Sequence, residues 1–590
     1  MSPKSTNRSV GASDPGISRE AVYEELERIL ASPLFGRSER LCRFLRFAVE
    51  SALRGEANQV KEYVVGSEVF GRGAAFDPRV DPVVRVEARR LRSRLKDWYK
   101  GAGSSSAVII ELPTGCYTAV FRQRGAVAAP QEHVIAVMPF TNLNGDAEGD
   151  YLSDGITEEL IHALTKLSGL RVVAWNSAVR MKGREQDLAA IRERLGAEAF
   201  LRGSIRRAPG HLRVTAQLIE TATGYYLWSE AWDRAATDLF AIEEEIAQAI
   251  ANKLRVPLSA AGGDRLARQS ADIACYELYL KGRFYWNTRT REGIDISIRC
   301  FEEAAAIDPQ WPLAWSGLAD AYALRADYGY TTPEESMPAA RRAAETALRL
   351  DPSLGEAWNS LAFIRSMYDW EWEDAERMYR RAIELKPGYA LAHLWYGIDF
   401  LASLSRFDEA LREIDIGVSL DPLSPSMLTA RGLVSMFAGQ YDDALRVFNQ
   451  IIEQYPLSWR PWGNLARLHS VVGEYRESIE LFEKAQALGG SEPALLGALG
   501  QTYALAGRER EAREALEQLV HLAQSRFVPV TCMALIHGAL GETDTALDWL
   551  ENGAERRDLR LTVIAAHPAY RCFRGNQRFE MLLRRVGLSK

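Results

Sequence analysis

Residues 462–485 read WGNLARLHSVVGEYRESIELFEKA. Trp462, Leu465, Ala466 and His469 keep helical spacing in the first half; Ser478, Phe482 and Ala485 do so in the second. The pattern repeats. Ala410, Ala444, Ser478, Ala512 and Ala546 stand 34 residues apart, and Ser297, Ala340 and Ala375 hold the same role earlier with slightly longer gaps. A turn proline recurs as Pro309, Pro352, Pro387, Pro422 and Pro456, and two amphipathic helical patterns run between successive prolines. A fixed period of this length marks a stacked array of helix pairs. Eight units are counted over about 275–560. Small residues let paired helices approach closely, and large ones fill the space between neighbouring pairs.

The unit Trp462-x2-Leu465-Ala466-x2-His469-x8-Ser478-x3-Phe482-x2-Ala485 resembles the tetratricopeptide repeat (TPR). Trp315, Leu318, Ala319 and Tyr322 fit its first helix, as do Trp358, Leu361 and Ala362. The resemblance implies an all-α superhelix over 273–567 whose groove receives a protein or peptide. The aromatic positions are read as core, and the peptide-contacting residues are unknown at this stage. The second unit departs by an insertion at Ala326–Glu335, and the last two lack the turn proline. Pro568–Gly587 reads as a capping helix, so 568–590 closes the array.

The 590 residues are too many for one core; three to five domains are expected at roughly 100–200 residues each. Apolar residues at 47% and charged ones at 26% exclude a mostly disordered or collagen-like chain. The net charge of −7 hides an asymmetry: residues 1–125 hold 21 Lys/Arg and 15 Asp/Glu, a net of +6, leaving −13 on the rest. A basic head on an acidic body suggests that the head meets a polyanion. Met1–Gly16 has no apolar signal region, and no apolar run approaches the ~20 residues of a membrane span, so a cytoplasmic, membrane-free protein is expected. Cys42, Cys116, Cys275, Cys300, Cys532 and Cys572 lie far apart, without a zinc or disulfide pattern. Polar, small-residue stretches at 1–18, 122–133 and 257–272 read as a disordered start and two linkers.

In the head, Leu41, Phe44, Leu45, Ala48 and Val49 share one helical face, and a short helix is expected over Val60–Phe70. The run from Asp81 to Tyr99 carries an apolar stripe (Val84, Ala88, Leu91, Leu95, Trp98) and a basic one (Arg85, Arg89, Arg92, Lys96), with Asp81 as cap and Pro82 in the first turn. Val108–Phe121 alternates and turns at Pro113-Thr114-Gly115, a hairpin pattern. Arg90-Leu91-Arg92-Ser93-Arg94-Leu95 resembles the recognition helix of the OmpR-type winged helix-turn-helix, and Gly115-Cys116-Tyr117 resembles its wing, with Cys116 where that family has a second glycine. The resemblance implies an α+β winged-helix-like head over 19–122 that binds double-stranded DNA. Arg85, Arg89, Arg90, Arg92, Arg94 and Lys96 would face the groove and phosphates, and Thr114, Gly115 and Tyr117 would form the wing. Arg90 and Arg94 lie off the basic stripe, and internal pairing is the alternative for them. The family's leading sheet is replaced by a helix over Glu20–Leu30.

The middle segment alternates strands and helices. Val134–Phe140 and Leu170–Trp175 read as strands, and Ala199–Arg207 with His211–Glu220 as a hairpin around Pro209-Gly210. Tyr225–Ala231 is a further strand; Asp187–Leu195 and Asp238–Leu254 are helices. A helix is expected to start at Asp154, with that residue as its cap, and the acids from Asn144 to Asp150 read as a solvated loop. His211 reads as a surface residue of the hairpin. The phrases IAVMPF, DGITEEL, LRGSIRR and ATGYYLWSE resemble the TolB amino-terminal-like domain, which implies an α/β domain over 132–256 with a ligand-binding, protein-contact or dimerisation role.

No G-x-x-x-x-G-K-[ST], no G-x-G-x-x-G after a strand and no H-E-x-x-H is present, and none of the eight His precedes His133. No catalytic residue, metal site or cofactor is expected. Chains that combine TolB-like and TPR parts sometimes carry a nucleotide cyclase domain in front; the first 125 residues here read as the basic head, so no enzyme is expected. Two functions stand. The first is a DNA-binding transcription regulator of the ToxR/CadC type without the membrane segment, sensing a ligand or partner; paired half-sites would make it a homodimer on DNA. The second is a TPR scaffold or signalling adaptor without specific DNA binding.

Overall fold

The computed structural model describes residues 18–589 except 37, 55–59, 74–75, 79, 104–105, 107, 114–115, 124–132, 166, 168, 209, 236–238, 255–272 and 490–491. Residues 1–17 of the start read above as disordered, most of the two stretches read as linkers, and Thr114 and Gly115 of the wing therefore lie outside the described residues. Two compact units form, 1–131 and 132–590.

The first unit holds α1 (Arg19–Leu30), α2 (Glu39–Leu53), a short α3 (Glu62–Val64) running into a wide π-type turn at Val65–Val69, and α4 (Val83–Lys100). Strands β1 (Val108–Glu111) and β2 (Val120–Gln123) pair antiparallel. Pro82 takes the cap position of α4 rather than its first turn, which moves Asp81 one residue outside the expected cap, although its carboxylate still accepts the Val83 N–H at 3.0 Å. The apolar stripe Val84, Ala88, Leu91, Leu95 and Trp98 packs with Leu26, Phe44, Leu45 and Ile110 in one core. Trp98 Nε1 donates to the buried Glu25 at 3.0 Å, which ties α4 to α1.

The second unit begins with a sheet of β3 (His133–Val137), β4 (Thr141–Asn142), β5 (Leu170–Val172), β6 (Ala199–Ala208), β7 (His211–Glu220) and β8 (Tyr226–Ala235). The order is β5-β3-β6-β7-β8, with β4 against β6. Strands β3, β5 and β6 are parallel; β6, β7 and β8 are antiparallel. Alternation sends Ile135 and Val137 to the face covered by α5 (Ala147–Leu164) and α8 (Leu239–Leu254). Ala136 and Met138 face α7 (Leu188–Leu195) instead. Helix α5 corrects the sequence reading. It starts seven residues before Asp154, because Asp146 supplies the cap by accepting from Gly149 N at 2.7 Å. The acids thought to lie in a solvated loop thus form its first turn, while Asp154 is buried mid-helix and paired with Lys182 at 3.1 Å. The second strand also ends early, at Val172, because Trp175 opens the short α6 (Trp175–Ala178).

Eight helix pairs follow among the described residues: α9 (Ile273–Asn287) with α10 (Arg291–Ile307), α11 (Pro312–Asp327) with α12 (Pro333–Leu350), α13 (Gly355–Ile364) with α14 (Trp372–Leu385), and α15 (Ala390–Trp395) with α16 (Phe407–Leu420). They continue as α17 (Pro425–Phe437) with α18 (Tyr441–Gln454), α19 (Trp459–Val472) with α20 (Tyr475–Gly489), α21 (Pro493–Leu505) with α22 (Glu509–Leu522), and α23 (Val530–Ala539) with α24 (Thr543–Glu555). The small residues in register, Ala410, Ala444, Ser478, Ala512 and Ala546, are fully buried. Close approach is forced at Gly282 and Gly317, where a Cβ would lie 2.6 Å from the Phe301 ring. The in-phase Trp and Pro have a shared reason. Trp315, Trp358 and Trp462 each donate Nε1 to the carbonyl six residues back, of Pro309, Pro352 and Pro456, at 2.9–3.0 Å. His393 takes the same place over Pro387. These tryptophans are half-buried and brace the turns between pairs, where the sequence alone suggested only core filling.

Helix α25 (Gln577–Val586) ends the chain and packs back on the early repeats. Trp372 Nε1 donates to Val586 O at 2.8 Å, and Arg557 donates to the carbonyls of Tyr368 and Asp369 at 3.3 Å. The array therefore turns far enough for its last segment to meet its third helix pair.

Candidate binding cavity

The concave side of the array encloses a cavity of about 1150 Å³. The α/β domain forms one wall through α5 and α6, and the segment from Asp558 to Tyr570 forms another. Two polar anchors fix the first wall. Arg283 on α9 is 6% exposed and donates to Glu158 on α5 and to Asp320 on α11; Asn287 adds a bond to Glu158 at 2.9 Å. Asp320 also accepts from Ser360, and burial raises its carboxyl to about 6 against the pull of Arg283. At the second anchor, Asp421, after α16, accepts from Asn176 and Ser177 at 3.0 and 2.5 Å. Ala174 N–H donates to Leu420 O at 2.8 Å beside it, and Leu423 enters the apolar layer under α7. A buried charge is tolerated when paired and hydrogen-bonded, as at Arg283; Asp421 is held by hydrogen bonds from neutral groups, and burial raises its carboxyl above the ordinary range.

Nine basic and six acidic side chains line the cavity, a positive excess on a chain whose net charge is −7. Several acids are already engaged: Glu158 and Asp421 as above, Asp558 with the N–H groups of Val530 and Arg560, and Asp327 with Arg560 at 3.4 Å. Burial, with Asp327 nearby, pushes the Asp399 carboxyl well above the usual carboxylate range, which weakens its negative charge. Among the basic groups, the Arg289 guanidinium carbon stands over the Trp286 ring, 3.6 Å from its centroid, with the backbone at φ +56°. Arg460 sits 4.6 Å from the Trp459 ring and 5.3 Å from Tyr328. Among the described residues Arg467 donates to neutral oxygens, Asn464 Oδ1 at 3.0 Å and Ala494 O at 2.9 Å. Burial and the charges of Arg560 and Arg460 lower Arg467 to about 10. The insertion noted at Ala326–Glu335 supplies Tyr328, Gly329 and Tyr330 to this wall, where Tyr330 OH donates to Arg289 O at 2.9 Å and its carbonyl accepts from Arg291. Sequence reading flagged the insertion and missed these arginines, because no local motif links residues 289, 460 and 467.

The head residues picked from sequence do not act alike. Arg92 donates to three carbonyls of the segment after β1, those of Leu112, Pro113 and Cys116, at 2.7–2.9 Å. Arg94 donates to Leu34 O at 2.5 Å, Arg90 pairs with Glu87 at 3.0 Å, and Arg85 pairs with Glu62 at 3.1 Å. Of the two off-stripe arginines, both thus bond internally. Arg89 and Lys96 are exposed on α4. Tyr117 is partly buried; burial and its bond to Glu62 raise its hydroxyl. His211 is exposed on β7, and no group of three His, Cys, Asp or Glu placed to hold a metal occurs among the described residues. No helix there is long and apolar enough to cross a membrane.

The tetratricopeptide repeat family model matches residues 430–458, which take in the later part of α17 and all of α18. Over 239 residues the chain is 34% identical to a protein of Rhizobium meliloti (strain 1021) named "Putative adenylate cyclase 3". That match takes in 37% of this chain and 41% of the relative, so the chain spans less than half of the curated protein it resembles. Similar solved structures include a tetratricopeptide repeat protein from Parabacteroides merdae ATCC 43184, at 16% identity over 46% of this chain and all of that one, with a TM-score of 0.34. The human IFIT1 dimer with m7Gppp-AAAA is 15% identical over 53% of this chain and 77% of that one, with a TM-score of 0.39. PilW, a type IV pilus biogenesis factor, is 22% identical over 35% of this chain and 91% of its own, with a TM-score of 0.29. The carboxy-terminal half is a TPR array, and such repeats serve protein–protein interaction.

Proposed function

We propose that the chain is a TPR interaction scaffold, a signalling adaptor with no catalysis of its own, whose groove receives a segment of a protein partner. The observation that supports this best is the walled concave cavity, built from helices of nearly every repeat and held open by the two polar anchors. The cyclase named for the relative is not carried over, since the match leaves most of that protein outside. A photo-crosslinking residue at Thr429, on the cavity wall, tests the reading in cells, with one at the exposed Glu480 as control. A discrete protein adduct from Thr429 alone is expected. Equal adducts from both positions, or none, would refute groove docking.

A second reading, DNA binding by the head, draws on one observation: Arg89 and Lys96 are exposed on a helix of a basic, separately folded unit. Regulation of transcription, by a homodimer on paired half-sites, would follow from it. Arg92 is the wrong probe, because it holds the β1–β2 connection. Replacing Arg89 and Lys96 with Ala should weaken retention of genomic fragments at ~150 mM salt, with a log K versus log salt slope that falls by about one per lost phosphate contact. Retention unchanged by the double substitution excludes this role for α4.

A further inference from the structure

We infer that the cavity holds an anion site for a compact phosphoryl-bearing small molecule, formed by Arg289, Arg460 and Arg467. Three observations carry this. First, among the described residues these guanidinium groups meet ring faces or neutral oxygens, whereas Arg283, which also stands over Trp286, and Arg560 have carboxylates. Guanidinium binds phosphoryl oxygens in a bidentate fork, and its stacking on Trp286 and Trp459 fixes that fork in advance. Second, the cationic excess sits in a concave space with low-dielectric walls, which focuses positive potential inward although the chain is anionic. Third, the space is bounded by α5, α6 and the 558–570 segment, and at about 1150 Å³ it has room for a small molecule beside a docked segment. The anion site lies in the same cavity as the docking of a protein segment proposed above, and its test reads anion binding directly, so failure of one leaves the other to be judged by its own experiment.

The state without ligand keeps like charges together, since Arg467 feels both Arg460 and Arg560. The anion relieves that repulsion. Removing one cation should therefore not lower the melting temperature of the unliganded chain, yet should remove the response to the anion.

The test is calorimetric titration of the full chain with pyrophosphate, ATP and citrate at ~150 mM salt, beside thermal melts in phosphate-free buffer. Saturable binding of pyrophosphate or ATP, at least tenfold tighter than citrate, is expected. ATP binding without pyrophosphate binding would identify a nucleotide as the source; pyrophosphate binding at equal strength would show that the phosphoryl groups suffice. Arg460→Met and Arg467→Met should each weaken binding tenfold or more, with Arg467→Lys restoring part of it. Arg476→Met, at the 87% exposed outer position, should leave binding unchanged. Absence of binding at millimolar probe, equal affinity in the cavity and outer variants, or tighter binding of an acidic octapeptide than of either phosphoryl probe would overturn the inference.

Discussion

Replacing Arg283 by Met removes the cation that joins α5, α9 and α11 while keeping most of its volume. Arg283 is 6% exposed, and its partners Glu158 and Asp320 are 5% and 1% exposed, so neither can turn to water. Breaking a buried ion pair from one side costs about 3–5 kcal/mol. The cost has a ceiling, since a stranded carboxylate can take a proton. Asp320 already stands at about 6 with Arg283 present, so neutralising it at pH 7 adds only about 1.4 kcal/mol. Glu158 keeps the Asn287 bond, and its desolvated charge makes up the larger share. The pH dependence then has a definite sign. Asp320 has a folded pKa above its ordinary 3.8, so its contribution is fully present below 3.8 and lost as pH rises through 6. Without Arg283 that loss extends to higher pH. The deficit of Arg283→Met against the parent should be about 3–5 kcal/mol at pH 7.5 and about 1 kcal/mol less at pH 5. Global denaturation of so large a chain is not two-state, so native-state amide exchange is the assay, read as protection factors in α5 and α9. The expected loss at pH 7.5 is about 10²- to 10⁴-fold. A loss under tenfold, or one that does not shrink toward pH 5, would refute the view that this ion cluster clamps the α/β domain to the array.

Asp421→Ala should raise amide exchange in α6 by an energy of about 2–4 kcal/mol, because Asn176 and Ser177 lose their buried acceptor, while α1–α4 exchange unchanged. Arg92→Ala should lower the stability of the head by about 2–3 kcal/mol, since three carbonyls lose a charged donor, whereas Arg89→Ala stays within about 0.5 kcal/mol; thermal melts followed by exchange in α4 distinguish the two. Burial, with Arg467 adding to it, pushes His567 down to about 3 from 6.5, so its contribution is present above pH 6.5 and drains away as pH falls toward 3. His567→Asn should flatten the acid loss of protection in the 558–570 segment by about 1.4 kcal/mol per pH unit between 6 and 4, and an unchanged slope would show that other groups govern it.

The repeats were legible because their signal is local and repeated. One 34-residue spacing is weak; five small residues in phase over the array leave little else, and each is buried in the fold. The Trp–Pro pairing was visible as two periodic residues six apart and was read as two separate facts; only geometry joins Nε1 to the carbonyl. Helix α5 shows the opposite failure. Asp146 and Asp154 both precede residues of helical pattern, and both are good caps in isolation. Asp146 wins because capping there lets Leu152, Ile156 and Leu160 share one buried face from the first turns. Burial of Asp154 is tolerated because Lys182, 28 residues on, reaches it. The same limit hid the cavity. Arg283 and Glu158 are 125 residues apart, and Trp372 and Val586 are 214 apart. Such contacts follow from how far each repeat turns relative to the last, a quantity fixed by many small packing contacts and written in no single motif. The basic stripe of α4 makes the final point: sequence gives four cations on one face, but not that Arg92 turns inward to the carbonyls of Leu112, Pro113 and Cys116. Charge on a face establishes what a helix offers, and only the acceptors nearby decide which of its cations are left to meet a partner.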